Sequence, residues 1–351
     1  MSDRDCEEPM HQALYAGDGR MVVRPQEPPP PPGPGEVQLE VSFTGICGTD
    51  LHILHGAMDQ RVRLPQPIGH EMSGRVAAIG PGVTGWTVGR HATVMPLDWC
   101  GECPACRAGH RHICQRLTFI GIDSPGALQS RWTVPAHVLV PLPDDLPLQH
   151  GALVEPTAVA VHDVRRGEVR ADEQVVVVGG GPVGALIALV CRASGARVLV
   201  SEPDPYRRQL VADLGLRTVD PVAEDLPALV DGWTGGAGAA VAFEVSGAAA
   251  GVGAAVDVLA VRGRLVLVAI HSRPREVNLH RFFWRELTLI GARVYERADF
   301  DTAVELIHRG DVPAEQLISR VVPIADVADA FTALGAGGVM KVLIDCGDGA
   351  A

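Results

Sequence analysis

Four cysteines stand in the stretch WCGECPACRAGHRHIC, residues 99–114: Cys100, Cys103, Cys106 and Cys114, spaced C-x2-C-x2-C-x7-C. Four thiolates this close can surround one zinc ion tetrahedrally. Gly101, Pro104 and Gly109 allow the tight turns that such wrapping needs. Four sulfurs leave no open coordination position, so a zinc held here is structural. Other chemistries share parts of the pattern. An iron–sulfur cluster has the same C-x2-C-x2-C start. A zinc knuckle for nucleic acid conflicts with the charge balance, 42 acidic against 30 basic residues, because phosphate affinity needs a basic face. A disulfide scaffold is not what eight cysteines in 351 residues describe.

A second set of donors is scattered: Cys47 in GICGTDLH, His70 and Glu71 in IGHEMSG, Glu155 in LVEPTAVAVH. Each also has a plain structural reading, a lone cysteine being most often a small buried hydrophobe. Together they offer sulfur, imidazole and carboxylate, the ligand types of a catalytic zinc.

Gly179, Gly181 and Gly184 form G-x-G-x-x-G, with Pro182 and Val183 inside it. The motif follows a valine run and opens an apolar helical pattern, the context it needs. Small residues there let the backbone approach a pyrophosphate, and the helix N-terminus supplies amide donors. Glu202 ends the next strand-like run, where an acid can accept the ribose hydroxyls and repel a 2′-phosphate, which favours NAD. Arg207 and Arg208 follow closely; either can stack on adenine or meet a phosphate.

The elements that must position these groups fall into two kinds. EVQLEVSFTG (residues 36–45) alternates apolar and polar like a half-buried strand. Short strand-like runs, among them SGRVAAIG and HATVMPL, continue to about residue 143 and predict a barrel-like β domain. EPPPPPGPG before them predicts a stiff extended connector. From about residue 156, unbroken apolar runs such as VVVV and VLV alternate with alanine-rich stretches, the signature of a doubly wound α/β domain with a buried parallel sheet. DFDTAVELIHRGD reads as a helix and KVLIDC as a closing strand. Hydrophobic residues make up 47% of the chain but aromatics only 4%, so the core is aliphatic. No apolar run reaches the roughly 18 residues of a membrane span, and MSDRDCEEPM has no apolar export segment. The expected location is the cytoplasm, with no membrane and no nucleic-acid partner.

GICGTDLH, GHEMSG, the four-cysteine loop, VEPTAVAVH, GGGPVG and KVLID, in this order, resemble the zinc-dependent medium-chain alcohol dehydrogenases, in the branch of sorbitol, 2,3-butanediol and threonine dehydrogenases. The resemblance runs from about Met10 to Asp345. It implies a GroES-like catalytic domain over residues 1–155 carrying the structural zinc lobe, a Rossmann NAD-binding domain over 156–298, and a return segment over 299–351 that completes the catalytic domain. It implies two zinc ions per chain. One sits in the cysteine loop; the other is held by Cys47, His70 and Glu71, with Glu155 as a direct or water-mediated fourth group. Thr49 matches the family's relay hydroxyl and His52 its terminal proton acceptor. Arg90, Ser130 and Arg131 depart from the family's usual residues, in places that concern packing more than chemistry.

The reaction so implied is reversible oxidation of a secondary alcohol in a polyol, vicinal diol or cyclitol to its ketone, by a homodimer or homotetramer. A threonine 3-dehydrogenase-like activity is the nearest alternative, and a non-catalytic, zinc-stapled NAD-binding protein is the alternative of another class. Substrate choice is expected in the loops 53–60, 117–129 and 293–297, with His55, Phe119 and Asp123 as candidate pocket residues.

Overall fold

The computed structural model describes residues 9–347. The chain forms two compact units: one runs to Glu155 and resumes at Ile318, and the other is Pro156–Leu317.

The first unit is built on a seven-stranded sheet. Its order is Leu139–Pro141, His91–Val94, Glu71–Ile79, Glu36–Gly45, Lys341–Asp345 and Ile318–Pro323, with Arg131–Pro135 also pairing with Glu36–Gly45. A three-stranded sheet of Met21–Pro25, His11–Tyr15 and Gln66–Pro67 stands beside it. Glu36–Gly45 shows the alternating burial expected of EVQLEV, then loses it where the register slips between Val41 and Phe43. That irregularity puts Thr44, Gly45 and Ile46 all into the interior. Gly45 then lies opposite Glu71 on one side and Leu343 on the other. A Cβ on Gly45 would collide with the Glu71 carboxylate, so the bare glycine makes the room that the acid occupies. Residues 26–32 of the proline-rich stretch form no helix or strand, in keeping with an extended connector.

The second unit carries a six-stranded, all-parallel sheet. Its order is Arg217–Val219, Arg197–Ser201, Gln174–Val178, Ala239–Glu244, Leu259–Leu267 and Thr288–Gly291. Val175–Val178 are buried on both faces, as the unbroken valine run required. The strand order reverses between Gln174–Val178 and Ala239–Glu244. Ligands of such sheets bind at the carboxyl ends of the strands beside this switch point. The glycine turn 179–181 follows one of these two strands, and Ser246 and Gly247 follow the other.

One boundary differs from the sequence reading. The return to the first unit comes at Ile318, not at residue 299. The helix Arg297–His308 is tied to the helix Val154–Arg166: His162 Nδ1 and Arg165 Nε each lie 2.9 Å from an Asp299 oxygen, and Arg165 also reaches Glu296 at 3.0 Å. These charge-assisted bonds hold it to the parallel-sheet unit. They were invisible in sequence because the partners stand 137 and 134 positions apart.

Candidate active site

The four-cysteine lobe is closed at its base by the short strands Leu97–Asp98 and Thr118–Phe119. Gly101 and Gly109 both adopt positive φ, +76° and +90°, so the turns use the conformations only glycine takes without strain. Cys103 caps the helix Pro104–Arg107, its sulfur accepting from the Cys106 amide. The sulfurs of Cys100, Cys103, Cys106 and Cys114 lie within 4.8 Å of one another, with separations of 3.4 Å (Cys100–Cys114), 3.7 Å (Cys103–Cys114) and 4.0 Å (Cys100–Cys106). A tetrahedron with Zn–S bonds of about 2.3 Å has sulfur edges of roughly 3.8 Å. The spacing fits zinc and is far beyond a disulfide bond. Backbone N–H groups of Cys100, Cys103, Cys106 and Arg116 point at the sulfurs at 3.3–3.5 Å. Such amides favour the thiolate form: those of Glu102 and Cys103 help hold Cys100 down to about 6.

The scattered donors come together in the same unit. Cys47 ends the loop after Glu36–Gly45 and caps the helix Gly48–Leu54; His70 stands just before the neighbouring strand, which Glu71 opens. Their ligand atoms all lie within 4.8 Å of one another. His70 turns Nδ1 toward Asp50 Oδ1 at 3.6 Å, which leaves Nε2 free to serve a metal, the carboxylate–histidine arrangement common behind metal ligands. Burial works to lower the His70 pKa, but the charge of Asp50 and the contact with Cys47 raise it well above the ordinary value. Asp50 is itself fixed, its Oδ2 accepting the Cys47 amide at 2.9 Å. The set of one thiolate, one imidazole and one carboxylate suits zinc chemically.

Glu155 is buried at the start of the helix Val154–Arg166 but does not belong to the tight trio. Its charge nonetheless reaches His70 and Lys341, raising both. Thr49 and His52 sit three apart on the helix Gly48–Leu54 and so share a face. Thr49 is half-buried and His52 exposed. Of the candidate pocket residues, Phe119 sets its ring edge-on against His70, centroids 5.4 Å apart.

Two residues escaped the sequence reading of roles. Asp50 is one. The other is Lys341, whose ammonium meets both Glu71 oxygens at 2.8 and 2.7 Å and the Ile46 carbonyl at 3.4 Å, fully buried. Lys341 is the chain's single lysine among 29 arginines, and that was the available signal. Burial alone would lower its pKa; Glu71 and Cys47 push it up instead.

In the second unit, Gly179 has φ +108°, and Gly181 caps the helix Pro182–Ala193 with Pro182 in the first turn and Val183 after it. A side chain on Gly184 would strike the Gly179 carbonyl, so that glycine serves close helix–strand packing. Glu202 is buried, and its carboxylate accepts the Gly180 amide at 2.6 Å and the Asp204 amide at 2.8 Å. Its second lone pairs remain for ribose hydroxyls. Arg208 is spent on the carbonyls of Glu202 and Pro203 and on Asp220. Arg207 instead brings Nη1 within 3.8 Å of where a Gly181 Cβ would stand, over the turn.

A parallel sheet with this glycine turn and a β unit with a four-cysteine lobe and a Cys–His–Glu cluster define a metal- and dinucleotide-dependent oxidoreductase. Residues 33–144 match the alcohol dehydrogenase GroES-like domain, and residues 182–309 match the zinc-binding dehydrogenase domain. The chain is 55% identical over 313 residues to the 2-dehydro-3-deoxy-L-galactonate 5-dehydrogenase of Pseudoalteromonas atlantica, covering 89% of this chain and 92% of that one. It superposes on 2R,3R-butanediol dehydrogenase from Bacillus subtilis with a TM-score of 0.88 at 29% identity, covering 96% of this chain and 99% of that one. A structure from Sinorhizobium meliloti 1021, assigned as a zinc-binding dehydrogenase and bound to NADP, gives 0.90 at 29%, covering 97% and 100%. The chain belongs to the zinc-dependent medium-chain alcohol dehydrogenases. It is an oxidoreductase of CH–OH groups that uses zinc and a nicotinamide dinucleotide.

Proposed function

We propose that this dehydrogenase interconverts the C5 secondary alcohol of a six-carbon sugar acid and its ketone, with NAD as the preferred dinucleotide. The observation that carries the chemistry is the buried Cys47–His70–Glu71 cluster set beside a helix bearing Thr49 and His52. The sugar-acid choice is supported by the 55% identical relative, whose name specifies such an acid and that carbon. Threonine and neutral polyols rank behind it.

Cys47, His70 and Glu71 would hold the catalytic zinc, with Glu155 completing the set directly or through water. That ion supplies Lewis acidity, which lowers the pKa of an alcohol oxygen. The Thr49 hydroxyl takes the alcohol proton and hands it toward His52, whose exposed ring releases it to solvent. Lys341 balances the Glu71 carboxylate, so the buried cluster does not carry an uncompensated charge. Asp50 holds the His70 ring. A bound nicotinamide would supply the hydride acceptor. Gly179, Gly181, Pro182, Val183 and Gly184 would cradle its pyrophosphate and Glu202 would take the ribose hydroxyls, with Arg207 over the turn. Cys100, Cys103, Cys106 and Cys114 would hold the second, structural zinc.

The strand Thr288–Gly291 pairs on one side only and ends the parallel sheet. Beside it, Leu279, Phe283, Trp284 and Leu289 are exposed. An open apolar edge of this kind invites a second strand, and we assign it to a second copy of the chain, making a homodimer. No helix among the described residues is long and apolar enough to cross a membrane. We assign the protein to the cytoplasm, where a four-cysteine metal loop keeps its thiols reduced.

A substrate panel tests the reading. L-galactonate, 2-dehydro-3-deoxy-L-galactonate, sorbitol, 2,3-butanediol and L-threonine are compared with NAD and NADP through the absorbance of the reduced nicotinamide. The acids are expected to give the highest kcat/KM. A higher value for threonine or a neutral polyol contradicts the assignment.

A further inference from the structure

A sugar acid carries a carboxylate several carbons away from the alcohol that reacts. Drawing that charge out of bulk water costs free energy unless a cation receives it. Lys341, the cation at the donor cluster, is buried and already committed to Glu71 and Ile46. A second cation is built outward from the same cluster. Phe119 lies against His70, and its own backbone N–H donates to Asp123 Oδ2 at 2.8 Å, while its carbonyl accepts the Asp123 amide at 2.8 Å. The turn thus fixes the Asp123 carboxylate. Arg61, from the loop after the helix Gly48–Leu54, docks on that carboxylate through Nε at 2.9 Å and Nη2 at 2.8 Å.

The way the guanidinium docks matters. Asp123 occupies its Nε–Nη2 edge. Five N–H donors sit on a guanidinium, and the two on Nη1 plus one on Nη2 remain. Nη1 has no partner among the described residues, and the side chain is 43% exposed. The free edge has the fork geometry that receives a second carboxylate bidentately. A pair serving only to tie the loop to the turn would not need an arginine held rigid with one whole edge presented.

We propose that Arg61, oriented by Asp123, is the specificity-determining residue that receives the substrate carboxylate. The proposal rests on the sugar-acid reading above and names the group that makes the enzyme prefer acids.

The test compares L-galactonate with L-galactonamide, which keeps the C5 alcohol and loses the negative charge. Wild-type enzyme is expected to favour the acid. Arg61→Met is expected to lower kcat/KM for the acid about 10- to 100-fold, the size of a lost charge-assisted contact, mainly through KM, and to leave the amide within about threefold. Arg61→Lys restores part of the loss as a point charge without the fork. Calorimetric binding of L-galactonate to the enzyme with NADH bound, where no turnover occurs, weakens in parallel. Equal losses on acid and amide, or an unchanged acid preference in Arg61→Met, overturn the role of Arg61 while the sugar-acid reading stands. A wild-type enzyme that does not prefer the acid overturns both. Because Arg61 is exposed, Arg61→Met should melt like the parent; Arg61→Gln, run in parallel, guards against a variant that does not.

Discussion

The cysteine lobe and the Cys47–His70–Glu71 cluster are both sets of close-set donors that suit zinc, in one folding unit, yet they are assembled in opposite ways. The lobe takes all its ligands from 15 consecutive residues, and turns, amides and sulfurs are all local. The cluster gathers residues 47, 70 and 71, with Asp50 against the histidine and Lys341 against the glutamate from 270 positions away. The lobe satisfies its charges with backbone N–H groups; the cluster uses buried ion pairs. A local metal loop makes metal binding and local folding one event. A cluster mounted on strands of the main sheet inherits its geometry from a core that stands without it. The first should therefore govern stability and the second activity.

Cys47→Ser should have the largest effect. It removes the only sulfur from the cluster, and we expect turnover to fall by at least about 10³-fold, on the scale of losing a central catalytic group. The protein should stay folded and bind NAD, as checked by turnover, melting and cofactor fluorescence. Near-normal turnover would mean that the cluster is not the reaction centre.

Lys341→Met sharpens the contrast because it changes the cluster's charge balance without replacing a donor. Removing one partner of a buried pair leaves an uncompensated charge and typically costs about 3–5 kcal/mol. Denaturant midpoints should fall accordingly, with zinc affinity and turnover altered as Glu71 loses its counter-charge. A variant as stable as the parent would show that Glu71 takes up a proton or finds another partner.

His52→Ala should be milder. A general acid–base group contributes about 10²- to 10⁴-fold, and the exposed position of His52 lets water bypass it, so the lower end is expected. The loss should be largest below neutral pH, where unassisted proton departure is hardest. A pH–rate profile parallel to that of the parent would remove His52 from the proton path.

The smallest effect expected is on cofactor choice. Arg207→Ala should lower NADP use several-fold and leave NAD use nearly unchanged, because NAD lacks the 2′-phosphate that an arginine at this turn can meet. If kcat/KM with NADP already equals that with NAD in the parent, Glu202 does not select the cofactor.

How much of this was legible in the sequence follows from the same contrast. The cysteine spacing, the positive-φ glycines beside it and the G-x-G-x-x-G turn are local, and their geometry could be read directly from residue order. The alternation in EVQLEV showed a strand, but not the slip after Val41 that buries Thr44 through Ile46 and sets Gly45 between Glu71 and Leu343. Without that register, nothing places Lys341 on Glu71. Family resemblance, not spacing, brought Cys47 and His70 together in advance. The second-unit membership of the helix Arg297–His308 depended on Asp299 meeting His162 and Arg165, and no local pattern carries that. Glu202 follows the strand Arg197–Ser201, as its place in the sequence suggested, but its two amide bonds came from the fold of the turn.

The most direct test of the division between the two sites is metal content, melting temperature and turnover measured together on the parent, Cys47→Ser and Cys106→Ser. Two zinc ions are expected in the parent and one in each variant. Cys47→Ser should lose activity with little change in melting temperature. Cys106→Ser should melt markedly lower, with residual activity that follows the folded fraction. If Cys106→Ser abolishes turnover while melting like the parent, or Cys47→Ser unfolds the protein, the assignment of stability to the lobe and chemistry to the cluster is wrong.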